Sequence, residues 1–138
     1  MKKILCLAFL GLVYQSSFAQ LNWLSSAGNI NASLPDYSKF IQLQLQGLLG
    51  KSKLFTAKEF EYMHYGLPGF SFGWNWYVDS KTKLQYSFHE GNPGTFLTKT
   101  FICKDTDRAF IIFANIQSDE ADEGIKILLA ELTKKYGS

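Results

Sequence analysis

Three segments of the chain repeat their apolar residues with the period of an α-helix. The first begins after Ser33, whose side chain suits a helix N-cap, and ends at Gly50. The second is a short helix from Thr56 to about His64, in which Thr56 and Glu59 have the spacing of a capping box. The apolar stripe of the first helix comprises Tyr37, Phe40, Ile41, Leu45, Leu48 and Leu49.

The third predicted helix begins after Ser118 and ends at Gly137. Acidic residues crowd its first turns, and Lys134 and Lys135 stand in its last turn. This distribution matches the helix dipole, so we interpret the acidic residues as a solvated helix start and predict no metal site there. Its apolar face comprises Ala121, Ile125, Leu128, Leu129, Leu132 and Tyr136.

Between the second and third helices the period changes to that of β-strands. Residues 72–78, 84–89, 95–103 and 108–115 are rich in strand-forming residues, and turn sequences separate them. The last of these strands, from Arg108 to Asn115, has a continuous apolar centre, which predicts burial on both faces. The order of elements predicts an α+β fold in which helices pack on an antiparallel four-strand meander.

The N-terminus has the pattern of an export signal. Lys2 and Lys3 precede an apolar run at residues 4–13, and Ser17 and Ala19 put small residues at the two positions that a signal peptidase inspects. The run is too short to cross a bilayer, which takes about 20 apolar residues. A buried N-terminal helix is disfavoured because the run offers no polar outer face. We therefore predict cleavage before Gln20 and a periplasmic or extracellular protein with no membrane attachment after cleavage.

Removal of the signal, residues 1–19, leaves 119 of the 138 residues, which fits a single domain at 20–138. The net charge of +2 leaves with the two lysines of the signal, so we expect no nucleic-acid partner. Cys6 lies inside the apolar run, too early for lipid attachment at the cleavage site. Cys103 then remains alone, which excludes an internal disulfide, and its apolar neighbours predict a buried thiol.

Two histidines remain as candidates for chemistry. His64 ends the second helix, where a structural or merely exposed side chain is expected. His89 ends a strand just before the Gly91-Asn92-Pro93-Gly94 loop, a place where functional side chains are often displayed. Neither histidine has cysteine or acidic partners at ligand spacing, and no helix follows the loop. We therefore predict no metal site, no phosphate site and no cofactor.

The motifs around His89 form a recognisable order. A strand ends in His89-Glu90-Gly91, a second strand returns, an Asp-x-Asp-Arg turn follows, and an apolar strand leads into the acidic start of the last helix. Upstream segments at 27–30, 35–40, 54–59 and 72–74 fit the same order. Together they resemble the C-terminal part of the serine β-lactamase and penicillin-binding-protein superfamily, in its β-lactamase-related branch. The resemblance covers about residues 26–136 and implies a partial β-lactamase-like fold.

The resemblance also implies a site. In that family a Lys/His-x-Gly motif lines the substrate pocket, and the backbone N–H beyond the glycine helps to hold the oxyanion. It therefore assigns His89, Gly91 and Asn92 to a ligand pocket, although Glu90 departs from the family pattern and would disfavour an anionic substrate. The family's Ser-x-x-Lys and Tyr-x-Asn motifs are missing, and the one Ser-x-x-Lys match, residues 80–83, falls in a turn. We therefore expect no catalytic residues.

The expected function is that of an exported, truncated β-lactamase-related protein of a serine hydrolase family, inactive alone. Two alternatives stay open: a non-catalytic interaction module of the cell envelope, and one half of a split hydrolase. In complete enzymes of this family the final strand pairs with the N-terminal part, which this chain lacks. The strand from Arg108 to Asn115 would then have a free apolar edge, where we expect self-association or capture of a protein partner.

Overall fold

The computed structural model describes residues 32–136 and contains three α-helices in that range. We name them α1 (Leu34–Leu48), α2 (Ala57–Tyr65) and α3 (Asp119–Tyr136). All three predicted helices are confirmed, with their ends within one or two residues of the predicted positions. The predicted signal segment and its cleavage site lie outside the described residues.

The predicted N-caps explain where each helix begins. The hydroxyl of Ser33 accepts a backbone N–H from the first turn of α1, and the hydroxyl of Ser118 does the same for α3. At the start of α2, the Glu59 N–H donates to the Thr56 hydroxyl at 3.3 Å, and the Thr56 N–H donates to the Glu59 carboxylate at 2.7 Å. The predicted capping box is therefore present, and this local chemistry sets the positions of the helices along the chain.

Five strands form one antiparallel sheet between α2 and α3. They pair in the order of the sequence. The strands are β1 (Phe70–Ser71), β2 (Trp74–Val78), β3 (Gln85–Gly91), β4 (Leu97–Cys103) and β5 (Arg108–Ala114).

The prediction of four strands was wrong, because it missed the short strand β1. Phe72 and Gly73 have φ angles of 43° and 91°, and they form a tight turn that folds Ser71 back against Trp74. The strand-forming preference of Phe72 put this turn at the start of the first predicted strand, residues 72–78. A left-handed backbone is unusual for a bulky aromatic residue, so the sequence offered only Gly73 as a sign of the turn.

The helices cover the two faces of the sheet. Helices α1 and α2 pack on one face, around a core of Ile41, Leu45, Leu48, Phe60, Trp74 and Ile102. Helix α3 packs on the opposite face, over β4 and β5, where Leu97, Ile112 and Ile125 form a second core. Along β5, Ile112 is 7% exposed whereas Phe113 is 40% exposed. Ile112 is therefore buried on the α3 face, whereas on the other face the predicted burial is wrong for Phe113 and only partial for Ile111.

Two close contacts hold the helices in place. Gly47 of α1 lies so close to the ring of Phe60 on α2 that any Cβ at position 47 would overlap with it. Lys99 of β4 forms an ion pair with Asp122 of α3 at 2.5 Å and another with Glu90 of β3 at 3.3 Å. The Lys99 side chain is only 13% exposed, so these ion pairs are largely shielded from solvent where they connect α3 to the sheet. None of the helices within residues 32–136 is long and apolar enough to cross a membrane.

Candidate functional site

His89 lies near the end of β3, the middle strand of the sheet, on the face that α1 and α2 cover. Its side chain is exposed, and its ring meets the ring of Trp74 edge to face, with 6.0 Å between the ring centres. The Nδ1–H donates to the backbone carbonyl of Gly73 at 2.9 Å, because a carbonyl can only accept. The Nε2 atom of the neutral ring therefore keeps its lone pair for another donor.

Gly91 and Asn92 continue from His89 into the loop. Gly91 pairs with Thr98 of β4, and a Cβ at position 91 would stand 2.5 Å from the Thr98 hydroxyl oxygen. A side chain at position 91 would therefore displace the Thr98 hydroxyl. The side-chain oxygen of Asn92 accepts the N–H of Gly94 at 3.0 Å, which makes a local turn. The three predicted pocket residues thus follow one another along an exposed strand end.

Glu90 has a different surrounding from the one that the sequence suggested. It points to the opposite face of the sheet from His89, where it pairs with Lys99. Its carboxylate therefore contacts a lysine that it shares with Asp122, and it faces away from His89. Because side chains alternate along a strand, two neighbouring residues of one motif serve different faces.

The single Ser-x-x-Lys match of the sequence lies in the loop between β2 and β3, as predicted. The carboxylate of Asp79 accepts the N–H groups of Lys81 and Thr82 at 3.0 and 2.7 Å and shapes this turn. These hydrogen bonds, first of all the one from the Thr82 N–H, lower the pKa of Asp79. Ser80 itself is exposed on the turn, which offers it no pocket.

A buried polar cluster around His64 is the feature that the sequence did not predict in detail. The Nε2–H of His64 donates to the side-chain oxygen of Gln44 at 3.0 Å, and Nδ1 accepts the hydroxyl of Ser87 at 2.7 Å. His64 and Ser87 are both fully buried, and Gln44 is 9% exposed. The ring of Trp74 stacks on the histidine at 4.2 Å between centres. The cluster links α1, α2 and β3 in the centre of the core.

Burial lowers the pKa of His64 to about 4, so the ring is neutral at physiological pH. Both ring nitrogens already have partners within the core. A serine next to a histidine is also the arrangement of a hydrolase nucleophile and its base, but here the pair has no access to solvent. A signal for the buried position existed in the sequence: His64 lies four residues after Phe60, on the same face of α2.

Tyr65 lies beside this cluster with its hydroxyl buried. No hydrogen-bond partner for this hydroxyl exists among the described residues, although the Ser87 hydroxyl, which donates to His64, lies in the same region. Burial raises the pKa of Tyr65 to about 12. Within residues 32–136 no group of three or more histidine, cysteine or acidic side chains is arranged to hold a metal ion.

Comparisons with known proteins add no relative to this picture: no family model, no curated protein and no solved structure matches the chain. The β-lactamase resemblance, the export signal and the pocket at His89 therefore stay predictions.

Proposed function

We propose that this chain is an exported, non-catalytic binding domain, a relative of the C-terminal part of the β-lactamase-related hydrolases that has no activity by itself. Its ligand-facing surface is the exposed end of β3, with His89, Gly91 and Asn92. Under this proposal the polar core is a structural element, and the fold serves to display the strand end.

One observation carries the proposal. The one serine–histidine contact among the described residues, between Ser87 and His64, is enclosed in the core and fully hydrogen-bonded. His89 is accessible, but it contacts the Gly73 carbonyl and the Trp74 ring instead of a hydroxyl or thiol. A histidine base needs a nucleophile within hydrogen-bond reach, about 2.6–3.2 Å, to start an acyl transfer.

The test is a search for a covalent adduct. The purified mature chain, residues 20–138, is incubated with a fluorescent penicillin and, separately, with an activated ester, and its intact mass is measured. We expect the mass of the unmodified protein in both cases. The Ser80→Ala variant is the control, because Ser80 is the exposed serine of the single Ser-x-x-Lys match. An adduct on the mature chain would contradict the proposal, and its loss in the variant would locate it.

A second candidate, one half of a split hydrolase, is favoured by the Nε2 atom of His89, which has no hydrogen-bond partner among the described residues. A separate chain that carries Ser-x-x-Lys could place its serine near this atom. Here the test adds such a chain to the mature protein and to its His89→Gln variant. Labelling by fluorescent penicillin that requires both chains, and that falls at least tenfold in the variant, would support the split enzyme. If the added chain is labelled equally well in the absence of this protein, the split enzyme is excluded.

A further inference from the structure

Strand β5 stands at the edge of the sheet that residues 32–136 form. Among residues 32–136, β5 pairs with β4 alone, as the last strand of the sheet. From Ala109 to Ala114 the strand has no charged residue and no proline, the two features with which edge strands commonly discourage pairing. Within the described range, the backbone donors and acceptors on the side of β5 away from β4 have no strand partner.

An apolar rim borders this edge on the α1 side. Phe113 of β5 and Phe40 of α1 are 40% and 45% exposed, although both are large apolar residues. The ring of Tyr37 lies between them, 5.5 Å from the Phe113 ring and 6.0 Å from the Phe40 ring. The three rings form one aromatic cluster that reaches the surface beside the strand.

A second apolar rim borders the edge on the α3 side. Ile125 faces the sheet, and Asp122 and Leu128 lie three residues before and after it, about 60° to either side of the helix. Asp122 contacts Lys99 of β4, and Lys99 also contacts Glu90 of β3. The side of α3 that carries Asp122 therefore faces the centre of the sheet. The opposite flank therefore faces the β5 edge, and there Leu128 is 46% exposed.

We propose that a second copy of this chain covers the edge, so that two β5 strands pair antiparallel about a two-fold axis near Ile111. In this register Arg108 of one copy lies opposite Ala114 of the other, and no like charges meet along the strand. The interface is isologous, because the same edge and the same two rims serve both copies. The dimer has a continuous sheet of ten strands.

The charges of α3 favour a second copy over an unrelated partner. The Nε–H of Arg108 donates to the carbonyl of Tyr136 at 3.1 Å, so α3 ends where β5 begins and runs antiparallel to it. The two α3 helices of the dimer then lie on one face of the sheet and run in opposite directions. The acidic start of each helix, with Glu120, comes beside the basic end of the other, with Lys135.

This inference does not depend on the proposed function, because the state of association and the formation of an adduct are measured separately. Sedimentation velocity of the mature chain over a range of concentrations should show a monomer–dimer equilibrium. Leu128→Lys should weaken the dimer at least about tenfold, because it places a charge in an apolar interface. Ile127→Lys is the matched control, since Ile127 is 61% exposed and points away from the sheet, and it should leave the dimer unchanged.

A charge exchange separates the interface from mere damage to the helix. Lys135→Glu should weaken the dimer severalfold, and the added change Glu120→Lys should restore it, although both changes oppose the dipole of α3. Circular dichroism confirms that each variant is folded. A mature chain that stays monomeric at every concentration would overturn the inference and would mean that another segment or partner occupies the edge. Equal effects of the Leu128 and Ile127 variants would overturn it as well.

Discussion

Acidification should destabilise the protein through His64. The folded ring has a pKa of about 4, because burial disfavours its charged form, whereas a histidine in the unfolded chain titrates near 6.5. At pH values well above 6.5 the ring is neutral in both the folded and the unfolded chain, so His64 causes no loss of stability. As the pH falls from 6.5 to 4, His64 binds a proton in the unfolded chain but stays neutral in the folded chain. The free energy of unfolding therefore decreases.

The size of this effect follows from the gap between the two pKa values. Each pH unit of the gap is worth about 1.4 kcal/mol, so the loss reaches about 3 kcal/mol near pH 4. That is a large part of the stability of a small domain, which is about 5–15 kcal/mol. Exposed carboxylates whose pKa is lowered, such as Asp36 and Asp79, begin to lose their contribution only below about pH 5, so the loss between pH 6.5 and 5.5 is free of them.

Urea unfolding at pH 7.5, 6.5, 5.5 and 4.5 measures the effect. The wild-type chain should lose stability with each step below 6.5. A His64→Gln variant should be less stable at pH 7.5, because Ser87 loses its buried acceptor, but its stability should vary little with pH. The matched control is His89→Gln, which removes the exposed histidine and should keep the wild-type pH dependence. If instead the His64 variant keeps the slope, the buried histidine is not its source.

The remaining predictions concern packing and processing. Gly47→Ala should lower the free energy of unfolding by about 1–3 kcal/mol because its Cβ overlaps the Phe60 ring, whereas Gly124→Ala, in open space on α3, should raise it by up to about 1 kcal/mol. Tyr65→Phe should leave the stability unchanged or raise it by about 1 kcal/mol, since it removes a buried hydroxyl without a partner, and urea unfolding measures all three. N-terminal sequencing of the exported protein should begin at Gln20, and a mature chain that retains the signal would contradict the predicted cleavage.

Local chemistry explains why so much of the fold was predictable. The capping residues and the apolar periods depend on neighbours within four positions, so they were visible in the sequence and placed all three helices correctly. The turn at Phe72 was missed because its left-handed backbone contradicts the preference of the residue itself. At this turn the pairing of β1 with β2 determines the backbone conformation, and no local sequence pattern indicates that pairing.

Much less of the candidate site than of the fold could be predicted from the sequence. The family resemblance proposes His89, Gly91 and Asn92 as a site by their order in a motif, but the sequence could not show that Glu90 turns to the other face and pairs with Lys99. The partners of His64 stand 20 and 23 positions away along the chain, at Gln44 and Ser87. Contacts at such separations depend on how the helices dock on the sheet, so the polar core could be found only in the structure.

The order of the strands has a consequence for the speed of folding. Every strand pairs with its neighbour in the sequence, so the sheet assembles as four successive hairpins, and each one closes a short loop. Closing short loops costs little chain entropy, and proteins dominated by local contacts fold faster than those that join distant segments. We therefore expect the sheet to form early and the docking of α1 across β4 and β5, which joins parts about 60 residues apart, to set the rate.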